Sequence, residues 1–216
     1  MGQLVVFGTV RPSAGVPIGD DRDLTAEARI RRAALALFAT QGYDRTTTRA
    51  IAAKAGVSHG LVLHHFGSKD RLREQVDADV MATLDGIFSP IVPDQDGPAD
   101  MEVWRDGFRA MFRDHEHVTA YLRRSLLQQT DQAPGLFEPL MGYAERLLET
   151  LVARGAARPP ADIKATTAVV AGMALTSVLL GRELERYVGD GEPLETRLAK
   201  AELELLVLGL FRPEGA

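Results

Sequence analysis

The stretch from Thr47 to Ser68, TTRAIAAKAGVSHGLVLHHFGS, leaves the backbone few options. Thr47 and Ser58 are residues whose side-chain oxygens cap the first free amides of a helix. Gly56 and Gly67 are the residue type that enters the left-handed turn closing one. Start and stop signals this close together permit two short helices, Thr47 to about Lys54 and Ser58 to about His65, joined by a tight turn. Ile51 and Ala52 face inward on the first, and Ala52 and Ala55 are small enough for a close approach. Val62 and Phe66, four apart, face inward on the second, and Val57 buries at the turn. Two such helices with a glycine turn and an apolar spine form a helix-turn-helix.

The flanks extend this unit. Ile30, Ala33, Ala34, Leu37 and Phe38 recur at helical spacing. Thr25 caps that helix, Glu27 sits where the helix dipole favours an anion, and Gly42 closes it, with Tyr43 packing back. Ser68 caps a further helix with Lys69 in its first turn. Residues 1–23 carry Gly, Pro and Asp at short intervals and read as a flexible arm; LVVF at 4–7 has strand character but no visible partner. Beyond residue 70, Pro/Gly breaks at 89–98, 132–135, 155–160 and 189–193 separate helices expected near 69–88, 99–114, 117–130, 136–154, 161–187 and 194–211. No strand alternation or internal repeat is present. The expectation is an all-α protein of about nine helices: an arm (1–23), a three-helix helix-turn-helix domain (24–70) and a larger helical domain (71–216).

Composition removes several classes of function. The 216 residues include no cysteine, which excludes a disulfide framework, an iron–sulfur cluster and a Cys-based zinc site. No charge-free apolar run is expected to approach the ~18 residues of a membrane span, and the N-terminus lacks a basic leader region; the reading is cytoplasmic, with no membrane partner. Net charge is −5 but unevenly spread: residues 22–73 hold ten basic and four acidic residues, +6, whereas 74–216 hold fourteen and twenty-four, −10. A basic segment on an acidic body suggests that one end meets a polyanion. The chain has no G-x-S-x-G, Gly-rich phosphate loop, HExxH or paired carboxylates with a base, so nothing marks it as an enzyme.

Three of five histidines, His59, His64 and His65, fall within this motif. At ~100° per residue, His59 and His64 lie ~140° apart and His64 and His65 ~100° apart. Helical metal pairs need i,i+3 or i,i+4 spacing, which none of these has, so no metal or other cofactor is expected. Imidazoles on a basic surface serve better as donors to bases or phosphates. Because imidazoles titrate near neutrality, DNA affinity is expected to rise modestly as pH falls from ~8 to ~6.

The pattern LFATQGYDRTT, IAAKAGVS, SHGLVLHHF and GSKDRL, in that order, resembles the TetR (AcrR-like) family of bacterial transcriptional regulators from about Thr25 to Val76. Gly42–Tyr43, Thr46–Thr47, Ile51–Ala52, Ala55–Gly56–Val57–Ser58, Gly60, His65–Phe66 and Ser68–Lys69 stand where that family's pattern has them. The resemblance implies a cytoplasmic homodimer, paired through its last two helices, whose two helix-turn-helix domains grip a palindromic operator on double-stranded DNA. It also implies a small, largely apolar effector that releases a repressor from that operator. The expected DNA-facing residues are Thr46, Thr47, Arg49, Ser58, His59, Gly60, Leu61, His64, His65 and Lys69. Hydroxyls and free amides at Thr46, Thr47 and Arg49 suit a phosphate, Lys69 reaches a backbone phosphate, and Gly60 lets DNA come close. Leu61 fits either a thymine methyl or packing onto the first helix. Arg31, Arg32 and Arg45 are open between phosphate contact and plain solvation. The family usually has a tyrosine at Leu63, whose hydroxyl meets phosphate; leucine makes no such bond.

In the body, segments 161–187 and 194–211 are too apolar for lone surface helices. They fit a four-helix bundle between two copies, Ala171, Gly172 and Ala174 allowing close packing and Leu198, Leu205 and Leu208 supplying bulk; a monomer core is the other option. The effector pocket expected from the resemblance draws on Trp104, Phe108, Met111, Tyr121, Arg123, Ser125, Phe137, Tyr143 and Met173, with Phe112, Leu122, Gln129, Met141 and Ser177 nearby. Aromatic and methionine side chains around a few polar groups suit an apolar molecule, and they equally suit plain core. Arg123–Arg124 either faces an anionic ligand or is solvated. A constitutive DNA-binding protein without an effector is the rival reading.

Overall fold

The computed structural model describes residues 25–95, 99, 101–127 and 135–209. Among them are nine α-helices and no strand: α1 (Ala26–Gln41), α2 (Thr48–Ala55), α3 (His59–Phe66), α4 (Lys69–Phe88), α5 (Met101–Asp114), α6 (Glu116–Leu127), α7 (Phe137–Ala153), α8 (Ile163–Val188) and α9 (Leu194–Gly209). These match the expected helices to within three residues at each described end. The proline-rich break after α4 also forms a 3-10 turn, Ser89–Ile91, which the sequence reading took as irregular; Pro90, which lacks an amide hydrogen, sits in its first turn. The expected arm at 1–23, LVVF within it, Gln129, and the side chains of Phe108, Phe112 and Leu208 lie outside the described residues.

The caps expected from the sequence are made. Thr25 Oγ1 accepts from the Ala28 amide at 3.2 Å, and Ser68 Oγ accepts from the Arg71 amide at 3.1 Å. Gly42 closes α1 at φ +89°, its amide donating to the Phe38 carbonyl at 3.1 Å.

The chain forms two compact units. The first holds described residues 25–34 and Thr47–Leu84; the second holds Leu35–Thr46 and 85–209. This boundary differs from the one expected at residue 70, because α4 buries Leu72, Val76, Val80 and Leu84 and so completes the first unit's core rather than starting the body. Ile30, Ile51, Val62, Leu72, Val76 and Val80 are all sealed from solvent there. Each such side chain stabilises the fold by roughly 1.5–3 kcal/mol relative to exposure. Arg31 on α1 donates through Nε to the buried Asp79 carboxylate on α4 at 2.7 Å and pairs with Glu27 at 2.6 Å.

In the second unit, Ile91, Trp104, Leu148, Leu151, Ala156, Ala157 and Ala199 form one buried cluster, with Phe88 against the Trp104 ring at 5.4 Å. Phe38 packs between Tyr43 (5.4 Å) and Tyr121 (6.3 Å), as expected for Tyr43. Gly107 lies so close to Ile87 that a Cβ there would sit 2.9 Å from its Cγ2 and 3.1 Å from its carbonyl oxygen.

The expectation that no charge-free apolar run approaches the length of a membrane span is corrected by α8. Residues Ile163–Gly181 have a mean hydropathy of 1.7 over 19 residues, and 17% of that stretch is buried within this chain. Threonines, a serine and glycines punctuate it, but only one charge, Lys164, does. Val169, Leu180 and Tyr187 on α8 and Leu205 on α9 stand exposed. Glu202 on α9 is the opposite case: it is 8% exposed, and its carboxylate oxygen Oε2 has no hydrogen-bond partner among the described residues. Burial pushes this carboxyl up to about 7.

Candidate nucleic-acid interface

Local chemistry fixes the reading head. Thr47 is extended (φ −103°, ψ 152°) and its hydroxyl accepts from the Ala50 amide at 3.1 Å, capping α2. Gly56 takes the left-handed conformation (φ +65°, ψ 38°), so the Val57 amide reaches back to the Ala52 carbonyl at 3.0 Å and the helix stops there. Two residues later Ser58 Oγ accepts from the Leu61 amide at 3.2 Å and α3 begins. Gly67 (φ +73°) ends it, its amide donating to the Leu63 carbonyl at 2.8 Å. Ile51, Ala52 and Ala55 of α2 and Val62 and Phe66 of α3 are buried; Val57 is half-buried.

That spine turns the remaining α3 side chains outward. Ser58, Gly60, Leu63, His64 and His65 are exposed, as are Thr47, Arg49 and Arg45 beside the start of α2; Leu61 and Lys69 are half-buried. A Cβ added to Gly60 would meet nothing nearer than Ser58 Oγ at 4.0 Å, so no internal packing demands glycine there. The bare backbone faces outward, where it admits a close external surface. The helix amides at the starts of α2 and α4 add donors for anions.

Two expected contact residues are committed elsewhere. Thr46 is fully buried: its hydroxyl donates to the Gly42 carbonyl at 2.7 Å and accepts from Gln41 Nε2 at 3.2 Å, so it shapes the α1–α2 connection and presents nothing to a phosphate. His59 Nε2 lies 2.9 Å from Thr48 Oγ1, tying α3 to α2; one ring nitrogen is thereby engaged within the motif. Arg31, open in sequence, is taken up by Asp79 and Glu27. Burial raises the Asp79 carboxyl above its ordinary range, the Arg31 cation beside it acting in the opposite direction. The His64 and His65 rings meet edge to face at 5.6 Å, and among the described residues no group of three or more His, Asp or Glu side chains is arranged to hold a metal ion.

Of the nine residues expected around an effector, eight have side chains among those described. Trp104 belongs to the buried cluster of the second unit and Met173, half-buried, packs against it; Tyr121 lies near Phe38, and Met111 is buried, its carbonyl accepting from Thr119 Oγ1 at 3.0 Å. Ser125 is half-buried and Phe137 exposed. The Tyr143 hydroxyl is buried facing Asp85, and burial raises its pKa. Ser177 on α8 is buried with its hydroxyl unpartnered among the described residues. Arg123 instead lines a cleft of ≈ 470 Å³ with Arg124, Leu127, Leu179, Ala39 and Ala120, where the end of α1 meets α6 and α8. Sequence reading named the arginine pair but missed the leucines and α1, since nothing in a linear pattern brings residue 39 beside residue 179.

Residues 30–76 match the family model described as bacterial regulatory proteins, tetR family. Over 143 residues the chain is 35% identical to the HTH-type transcriptional regulatory protein RaaS of Mycobacterium tuberculosis, covering 66% of this chain and 65% of that protein, so the alignment spans just under two thirds of RaaS. It is 28% identical over 182 residues to the HTH-type transcriptional repressor KstR2 of Mycolicibacterium smegmatis, covering 82% of this chain and 85% of that one. Among solved structures, SmeT, the repressor of the Stenotrophomonas maltophilia multidrug efflux pump SmeDEF, shares the fold with a TM-score of 0.63 at 23% identity, over 90% of this chain and 94% of SmeT. SmeT has also been solved in complex with triclosan, that structure matching at a TM-score of 0.61 and 22% identity over 88% of this chain and 93% of SmeT.

Proposed function

The chain belongs to the TetR family of bacterial regulatory proteins, and from that premise we propose that it is a cytoplasmic transcriptional repressor that binds a palindromic operator as a homodimer and is released by a small-molecule effector. The observation that carries this reading is the outer face of α3: a capped, eight-residue helix held by Val62 and Phe66, with Ser58, Gly60, His64 and His65 turned out. Ser58, His64 and His65 offer donors to base edges and phosphates, and Gly60 lets the backbone approach. Arg49, Lys69 and Thr47 hold phosphates at the helix starts. With leucine at position 63, the phosphate contact passes to His64 and His65.

A two-fold dimer suits a palindrome, and the exposed apolar residues of α8 and α9 supply its face. Covering Val169, Leu180, Tyr187 and Leu205 with a second copy explains a long apolar helix that one chain leaves largely uncovered. The effector acts on the second unit and shifts the balance between states that differ in operator affinity. Helix α4, which contributes Lys69–Leu84 to the first unit and its last turn to the second, transmits that change. The names of KstR2 and SmeT as repressors, and the triclosan complex of SmeT, support the direction of this regulation.

Fluorescence anisotropy with a labelled duplex from the DNA flanking its own gene tests the reading. Saturation at two chains per site, with at least a hundredfold preference over an unrelated duplex at fixed salt, is the expected result. Equal affinity for both duplexes would rule it out.

A further inference from the structure

We propose that the cleft between the end of α1, α6 and α8 is a binding site for an amphipathic monoanion, an alkyl carboxylate, whose head group is held by Arg123 and whose chain lies along Leu127 and Leu179. Arg123 is anchored by one bond, from Nε to the Val178 carbonyl at 2.5 Å, and its two terminal nitrogens have no partner among the described residues. An arginine pinned at Nε presents those nitrogens as a fixed fork, the geometry that takes a carboxylate through two hydrogen bonds. Beside it, Arg124 donates from Nε to the Ala39 carbonyl at 3.2 Å and from Nη2 to the Thr40 carbonyl at 3.0 Å. Both carbonyls belong to the last turn of α1, which lacks helical donors; Nη1 of Arg124 has no partner among the described residues.

The rest of the lining suits a hydrocarbon chain. Leu127 is 66% exposed at the cleft, and the small side chains of Ala39 and Ala120 leave the space open. One carboxylate, Glu183, shares the lining, but it is exposed and pairs with Arg186 at 3.4 Å, so two cations act on the cleft against one partly neutralised anion. At ≈ 470 Å³ the volume falls in the range of small-molecule sites. A purely apolar ligand would leave the Arg123 fork desolvated and unpaired, which disfavours it.

A bound carboxylate also competes for Arg124, drawing it from the Ala39 and Thr40 carbonyls and loosening the last turn of α1. The Gln41 and Thr46 hydrogen bonds, which fix the connection into α2, follow directly in the chain. This consequence, unlike the binding itself, rests on the proposed repressor function.

Calorimetric titration of the full chain with decanoate, decanol and acetate tests the site. Decanoate is expected to bind at least tenfold more tightly than either of the others. Arg123→Gln weakens it roughly ten- to a hundredfold, as loss of a charge-assisted bond does. Leu127→Glu, a change at an exposed position that leaves the fold intact, weakens it similarly by adding a carboxylate to the cleft. Equal affinity for decanol or acetate, or decanoate affinity unchanged in both variants, overturns the proposal. With the flanking duplex present, saturating decanoate lowers DNA affinity at least fivefold; no change refutes the link to α1. A chain that takes decanoate but no specific DNA refutes the repressor reading and leaves the site standing.

Discussion

Replacing Glu202 with glutamine removes the charge from a group that α9 buries without a partner among the described residues. In the unfolded chain this carboxyl ionises at its ordinary 4.5, and in the folded chain at about 7. Below pH 4.5 it is neutral in both states and its burial carries no ionic penalty. Between the two values the unfolded chain ionises while the folded chain resists, so stability falls, and above pH 7 the loss is complete. The gap of about 2.5 pH units, at ~1.36 kcal/mol each, corresponds to about 3 kcal/mol. Part of this is already lost at pH 5, and the carboxyl's exposed edge is screened, so about 2 kcal/mol remains between pH 5 and pH 8. Urea unfolding of wild type and Glu202→Gln at both pH values, at one protein concentration because a dimer's stability depends on it, reads this directly. The variant's advantage is expected to grow by about 2 kcal/mol from pH 5 to pH 8. An advantage that is the same at both values would refute the reasoning, whatever its size.

Three further outcomes follow from contacts in the two units. Asp79→Ala leaves the half-buried Arg31 guanidinium with Glu27 alone and is expected to destabilise the first unit by about 1–3 kcal/mol, whereas Arg31→Met with Asp79→Leu recovers most of that; equal losses in thermal melts of both variants would contradict it. Gly107→Ala brings a methyl group into Ile87 and its carbonyl and is expected to cost about 1–3 kcal/mol by denaturant titration. Gly60→Ala meets no neighbour closer than 4.0 Å and is expected to leave the melting temperature unchanged or slightly raised. The same change weakens binding to the flanking duplex, and undiminished affinity would mean that DNA keeps clear of that backbone.

The helix-turn-helix was legible because its signals are local. Thr47, Gly56, Ser58 and Gly67 act through bonds to residues at most five positions away, and each makes the bond its chemistry calls for. Contacts across helices were less legible. Thr46 has the same hydroxyl as Thr47, and only the folding back of the α1–α2 connection buries one and exposes the other. His59 and Thr48 meet because the turn at Gly56 sets the two helices side by side. Asp79 gave a partial signal, a carboxylate interrupting the apolar stripe Leu72, Val76, Val80 and Leu84, but its partner lies 48 positions away. Trp104 and Met173 gave no distinguishing signal, because aromatic and methionine side chains fill ordinary core as readily as they line a cavity, and composition does not separate the two.

Helix α3 divides its labour unevenly. Val62 and Phe66 are its buried residues and His59 bonds to Thr48 on α2, while Gly60, Leu63, His64 and His65 lie exposed and outside that packing. On the proposed repressor reading, substitutions at the exposed positions therefore alter which DNA is preferred at little risk to folding. A duplicated copy of this gene has a short, viable mutational path to a new operator, each step leaving a stable protein on which selection continues to act. The same separation makes α3 a practical graft site: its outer residues are exchangeable for those of another regulator while Val62, Phe66 and the two glycine turns stay in place.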